Sequence, residues 1–169
     1  YVGFGFLKGF VDGVIESRTA FMLRPYEGTS DDKGRPMMEE ARLKALVLQA
    51  HAAGFGVALH AIGDAAVRLS LDAYEAAQKA HPAVKVVHRV EHIEVVDPAD
   101  VGRFKALGVI ASMQPFHANP GGPTPDDGVW SKNLGPALNT HRPHQLAPAE
   151  TLTLCAARLC VMEGDADSL

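Results

Sequence analysis

Lys8, His60, His92 and Asp165 lie in or just past apolar runs, in LKGFVDG, VALHAIGD, VHRVEH and VMEGD. Imidazole nitrogens and carboxylate oxygens are ordinary zinc ligands. An aspartate beside such a metal can also take a proton from a water whose pKa the metal has lowered to about 7. A lysine ammonium cannot bind a cation. It becomes a ligand only after carbon dioxide adds to the neutral amine, giving a carbamate able to bridge two metals. The four residues are therefore a candidate donor set for one or two divalent metals, zinc first, with Asp165 as ligand and catalytic base.

Taken singly, each residue also has a structural reading. A lone histidine at a strand end is commonly a core residue with its hydrogen bonds satisfied. HAIGD reads equally as strand, turn and helix start, with Asp64 as the cap. Lys8 reads as a strand-end cation and Asp165 as a cap. His88-x3-His92 has the spacing of a helical zinc pair, but the valines around it favour a strand. The joint order and placement of the four residues favours the metal.

The positioning elements follow from periodicity. Val2–Val11 reads as a strand, and the turn formers of GTSDDKGRP mark a loop after it. Met38–Ala53 has helical spacing, with Leu43, Leu46, Val47 and Ala50 on one face and Gly54 as the stop. Phe55–Ala61 is a short buried strand. A helix starts at Asp64, carries the stripe Val67, Leu71, Tyr74, and ends at His81-Pro82. Val84–His92 is a β-branched strand. Asp97 caps a helix with Pro98 at its first position, and Gly108 stops it. Val109–Met113 is the next strand. Gln114–Pro148 holds seven of the eleven prolines and reads as irregular, a functional loop or insertion. A helix over Ala149–Ala157 and a strand over Leu159–Met162 complete the order.

Alternating strands and helices imply parallel strands joined by right-handed crossovers. The expected fold is α/β, a partial (β/α)8 TIM-type barrel with about five parallel strands, one domain over residues 1–169. A closed barrel typically takes about 250 residues. Chemistry in such barrels sits at the C-terminal strand ends, where His60, His92 and Asp165 fall. Period two puts Lys8, Phe10 and Asp12 on one face. It also groups His88, Val90 and His92 opposite Val87, Arg89 and Glu91.

Composition narrows the class further. Hydrophobic residues at 47% and charged residues at 21% exclude whole-chain disorder. The net charge of −4 and the lack of a basic block argue against nucleic acid as a partner. No apolar run reaches membrane-spanning length. Cys155 and Cys160 would close only a tiny disulfide loop, so two thiols in a reducing, cytoplasmic compartment are expected. A partial barrel leaves two strand edges open, so the expectation is self-association, docking with a missing partner segment, or partial disorder of the long loop.

LKGFVDGVIESRTA, LHAIGDAAV and HRVEHIEVVDPADVGRFKALGVIASMQPFHA, in this order, resemble the amidohydrolase superfamily. The nearest branch is amidohydrolase family 3, the group similar to N-substituted formamide deformylase. The resemblance runs from about Leu7 to Asp165 and implies hydrolysis of a C–N bond outside peptides. It implies metal ligation by His60 and His92, a possible carbamate on Lys8, and a ligand and general-base role for Asp165. Three departures stand out. The family's early His-x-His pair is absent. EGDADSL replaces the usual Gly-Ser-Asp motif, with Gly164 in the serine position and Glu163 where apolar residues are usual. The family's C-terminal segment and β-sandwich domain are expected to be missing.

Weaker candidates surround this set. Gln114 and His117 follow a strand end and could face a small-molecule substrate, or form a polar loop. Arg18 could bind an anionic group or hold a loop. Asp12 and Glu91 could orient ligands. His141, His144 and Trp130 offer a more remote grouping. The expected function is a metal-dependent amidohydrolase. The alternatives are an inactive fragment that keeps the fold without a complete metal site, and a small-molecule binding module.

Overall fold

The computed structural model describes residues 5–113, 129–139 and 141. They form β1 (Leu7–Phe10), α1 (Glu40–Ala52), β2 (Val57–Ala61), α2 (Asp64–Ala80), β3 (Arg89–His92), α3 (Pro98–Leu107), β4 (Ile110–Met113) and α4 (Val129–Asn139). The strands make one parallel sheet in the order β1-β2-β3-β4. This is the expected barrel-type alternation. The expected fifth strand and the helix before it lie outside the described residues. Among the described residues no helix is long and apolar enough to cross a membrane.

The register sorts the sheet into two faces. Gly9, Leu59, Val90 and Ala111 share a row. Leu59, Val90 and Ala111 are buried in the core beneath the helices with Leu43, Val47, Val67, Leu71 and Phe104. Gly9 suits this row, because a Cβ there would lie 2.9 Å from Leu59 Cδ2. The opposite face carries Lys8, Ala58, Arg89 and Ile110 in one row, then Phe10, His60, Glu91 and Ser112 in the next. Candidate site residues therefore stand on the face away from the helices.

Most helix signals act as read, with two corrections: Leu46 of α1 is 46% exposed, because α1 buries only Leu43, Val47 and His51, and α2 is capped by Gly63 with Asp64 as its first helical residue. Val67, Leu71 and Tyr74 are fully buried on α2. Asp97 accepts from Ala99 N–H at 2.9 Å, Pro98 opens α3, and Gly108 ends it with φ 63°. Across the outer surface the Arg103 guanidinium ties α3 to α2 through Asp72 at 2.6 Å and Glu75 at 3.0 Å.

Three readings change. β3 starts at Arg89, not Val84, because Val57 N–H bonds the His88 side chain at 3.2 Å rather than a neighbouring carbonyl. His92 leaves the face of Val90 by taking φ 78°, with φ 53° at Ile93. Finally, α4 lies inside the stretch expected to be irregular, and it is kinked at Gly135 before Pro136. Leu134 and Leu138 of α4, with Trp130 against them, close a second core over Ile15, Met22, Tyr26, Ile62 and Val95.

Two glycines give opposite expectations. A Cβ on Gly63 would sit 2.1 Å from the Phe21 carbonyl oxygen, while one on Gly102 of α3 would meet nothing within 4 Å. Gly63→Ala should lose about 1–3 kcal/mol in urea unfolding. Gly102→Ala should gain up to about 1 kcal/mol, since alanine is the better helix former in open space.

Candidate functional site

His60 is the fourth residue of β2 and is 8% exposed. Its Nε2 lies 3.0 Å from the Gly13 carbonyl oxygen and 3.7 Å from Asp12 Oδ1. Burial lowers the His60 pKa, so the ring is neutral at pH 7. A carbonyl can only accept, so Nε2–H is the donor and Nδ1 carries the lone pair. A backbone carbonyl holding one ring nitrogen while the other stays open is the usual support for a metal-binding histidine.

His92 ends β3, and its ring centroid lies 4.5 Å from that of His60, edge to face. Strand alternation alone would place His92 beside Val90. The left-handed backbone at His92 and Ile93 brings the ring to His60 instead. A positive φ on a β-branched residue such as Ile93 is costly and persists only where the surroundings impose it. Ile93 N–H donates to Ala61 O at 3.1 Å and Val95 N–H to Ile62 O at 3.0 Å, which fixes this turn.

Asp12 anchors the other side and is fully buried. It accepts from Phe21 N–H at 2.8 Å, Ile62 N–H at 3.0 Å and Gly63 N–H at 2.9 Å. Burial pushes its carboxyl up to about 7, against the downward pull of these three donors. Lys8 pairs with the Glu91 carboxylate, which also pairs with Arg89. The Lys8 Nζ stands 5.5 Å from the Phe10 ring centroid, and Phe10 lies 5.1 Å from the His60 ring.

The structure thus brings His60 and His92 together at the end of the strands with Asp12, while Lys8 stands one row nearer the strand starts, beside Ala58 and Arg89, and reaches this group only through Glu91. Asp165, Gln114 and His117 lie outside the described residues, as do His144, Cys155 and Cys160. Arg18, at φ 56°, spends its Nε on Asn133 Oδ1 at 3.0 Å, tying the loop after β1 to α4. His141 Nδ1 is 3.8 Å from Asp64 Oδ2. Among the described residues no three His, Cys, Asp or Glu side chains converge on one metal position. Sequence reading missed the Gly13 carbonyl and the Arg89–Glu91–Lys8 chain. The parity of Arg89 and Glu91 with each other was a signal for that chain; no local signal marked the carbonyl.

A family model described as "Amidohydrolase family" matches residues 1–153. The chain belongs to the amidohydrolase family. It is 34% identical over 113 residues to Protein LONG AFTER FAR-RED 3 of Arabidopsis thaliana, covering 67% of this chain and 19% of that protein. It is also 34% identical over 116 residues to the putative amidohydrolase YtcJ of Bacillus subtilis, covering 68% and 21% respectively. An uncharacterized metal-dependent hydrolase from Pyrococcus furiosus superposes with a TM-score of 0.66 at 30% identity, covering 80% of this chain and 26% of that one. Its counterpart from Pyrococcus horikoshii OT3 gives 0.65 at 29% identity, with the same coverage. This amidohydrolase chain spans about a fifth of the curated relatives and a quarter of the solved structures.

The described residues of the amidohydrolase chain bring two imidazoles, His60 and His92, to 4.5 Å between ring centroids, and imidazole is a donor type that suits a divalent metal. Asp12 should prove the structural anchor of this arrangement. Asp12→Ala leaves three N–H groups without their acceptor, two of them buried, and should cost ~3 kcal/mol of stability in denaturant titration. An unchanged midpoint would remove it from that role.

Proposed function

We propose that this chain carries part of the active site of a metal-dependent amidohydrolase acting on a non-peptide C–N bond, an amide, formamide or cyclic amide. The observation that carries the reading is the His60–His92 pair, drawn together across two strands by an uncommon backbone conformation at His92. The family match and the metal-dependent hydrolase neighbours support it.

His60 and His92 would hold the metal, with Lys8 as a carbamate and Asp165 as further ligands. Imidazole and carboxylate donors suit zinc. When bound, such a metal lowers the pKa of a water and polarises a substrate carbonyl. The protein's own residues do the rest. Gly13 and Asp12 hold the His60 ring in one orientation. Glu91 pairs with the Lys8 ammonium and with Arg89, and so holds the lysine before any carbamate forms. Asp165 receives the proton of the attacking water and returns it to the departing nitrogen. Arg18, Gln114 and His117 would line the substrate side.

Zinc retention after dialysis and elemental analysis test the ligand assignment. His60→Ala and His92→Ala should each abolish stoichiometric retention while leaving the far-ultraviolet circular dichroism intact. Asp165→Asn should keep the metal and lower turnover of N-substituted formamides and simple amides by ~10²-fold or more. Undiminished hydrolysis by metal-free protein would sink the reading.

A further inference from the structure

At the foot of the sheet, opposite the candidate site, two more histidines are fully buried, His51 of α1 and His88 just before β3. We propose that His51 and His88 form a two-histidine relay that locks β2 against β3 in register and releases them when His88 gains a proton.

The hydrogen bonds allow one assignment of protons. Val57 N–H lies 3.2 Å from His88 Nδ1. A backbone amide can only donate, so His88 Nδ1 is bare. The neutral ring then carries its hydrogen on Nε2, which lies 2.9 Å from His51 Nδ1. His51 Nδ1 must accept, so the His51 hydrogen sits on Nε2, 3.3 Å from the His81 carbonyl oxygen. A carbonyl only accepts, and the chain closes without conflict. The donors run Val57 to His88, His88 to His51, His51 to His81. A proton added to His88 Nδ1 would set two N–H groups against each other, and one added to His51 Nδ1 would do the same.

Tyr74 of α2 completes the lock. Its ring stacks on His88 at 4.5 Å and 6°. Its hydroxyl lies 2.8 Å from Arg89 O and 3.1 Å from Val57 O. Val57 opens β2 and Arg89 opens β3. The lock therefore acts where the Ala58–Arg89 pairing begins, and that register carries Ala61 against His92 at the far end. A slip of one residue would send every side chain of a strand to the other face. His51 and His88 are thus positioning residues for the His60–His92 pair, acting through strand register.

The groups around His88 favour the neutral form. Among the described residues they are His51 from α1 and Tyr74 from α2, with the His81 ring 6.5 Å from that of His51. None is a carboxylate. Burial, then the neighbouring His51, lowers the His88 pKa to about 4 from 6.5. The unfolded chain therefore takes the proton first as pH falls. The lock contributes fully above about pH 6.5 and is lost as pH falls towards 4.

Long-range nitrogen–proton NMR of the imidazoles, combined with denaturant unfolding across pH, tests this. At pH 7.5 His88 should be neutral with its hydrogen on Nε2, donated to a bare His51 Nδ1. Between pH 6.5 and 4 the folding constant should fall by close to tenfold per pH unit from His88 alone. His88→Phe keeps a ring against Tyr74; it should be less stable at pH 7.5 and should lose that share of the slope. A charged His88, or its Nδ1–H tautomer, at pH 7.5 would overturn the relay, as would an unchanged slope in His88→Phe. Should His88→Phe not fold, the titration of His88 in the unaltered protein decides alone. A ring still neutral at pH 5 supports the lock, and one already charged there overturns it.

Discussion

The buried carboxylate of Asp12 is the joint on which the site end of the sheet depends. Its three backbone donors come from two separate segments, Phe21 in the loop after β1 and Ile62 and Gly63 in the turn after β2. A carboxylate suits this place because its two oxygens accept several bonds, where an amide side chain offers one oxygen. Asp64 repeats the device one residue on. It takes Leu23 N–H and Ala65 N–H, both at Oδ1 and at 2.8 Å and 2.9 Å. The two acids stitch the long loop after β1 onto the start of α2. Gly63 follows from this closeness, because the Phe21 carbonyl occupies the space of a side chain there. With the loop held, Gly13 O stands where it can fix the His60 ring. The imidazole geometry is thus set by acids that never touch solvent.

Much of this was legible because the relevant forces are local. α3 was read to the residue at its start, since an aspartate cap, a proline and a left-handed glycine each act within one turn. α2 was read from its stripe of fully buried residues. The candidate histidines were found because they end apolar runs, which is a strand-level pattern.

What was not legible depends on contacts distant in sequence. The apolar run from Val84 promised a longer strand. His88 instead turns its ring to Val57 and replaces a ladder bond with a side-chain bond. α4 hid behind Gly135-Pro136, which breaks the helical pattern, although Trp130, Leu134 and Leu138 keep a spacing of four. The parity error at His92 is the most informative. Alternation assumes an extended backbone, and His92 does not have one. A rule of local structure fails where two residues from different strands must meet, which is where function most often imposes strain.

The face that carries the candidate site also explains an exposed surface. Parallel sheets are normally covered on both sides. Among the described residues the helices cover one side, while Phe10 on the other remains 51% exposed. On the inner face Glu91 lies between Lys8 and Arg89, so two cations share one anion. Under the proposed carbamate reading, Lys8 changes from cation to anion and the balance inverts. Glu91 and the carbamate would then repel unless positive charge enters between them, while Arg89 keeps hold of Glu91. On that reading the carbamate and a divalent metal would stabilise each other on this face. Arg89, which the family motifs did not single out, becomes the residue that keeps Glu91 in place through the exchange.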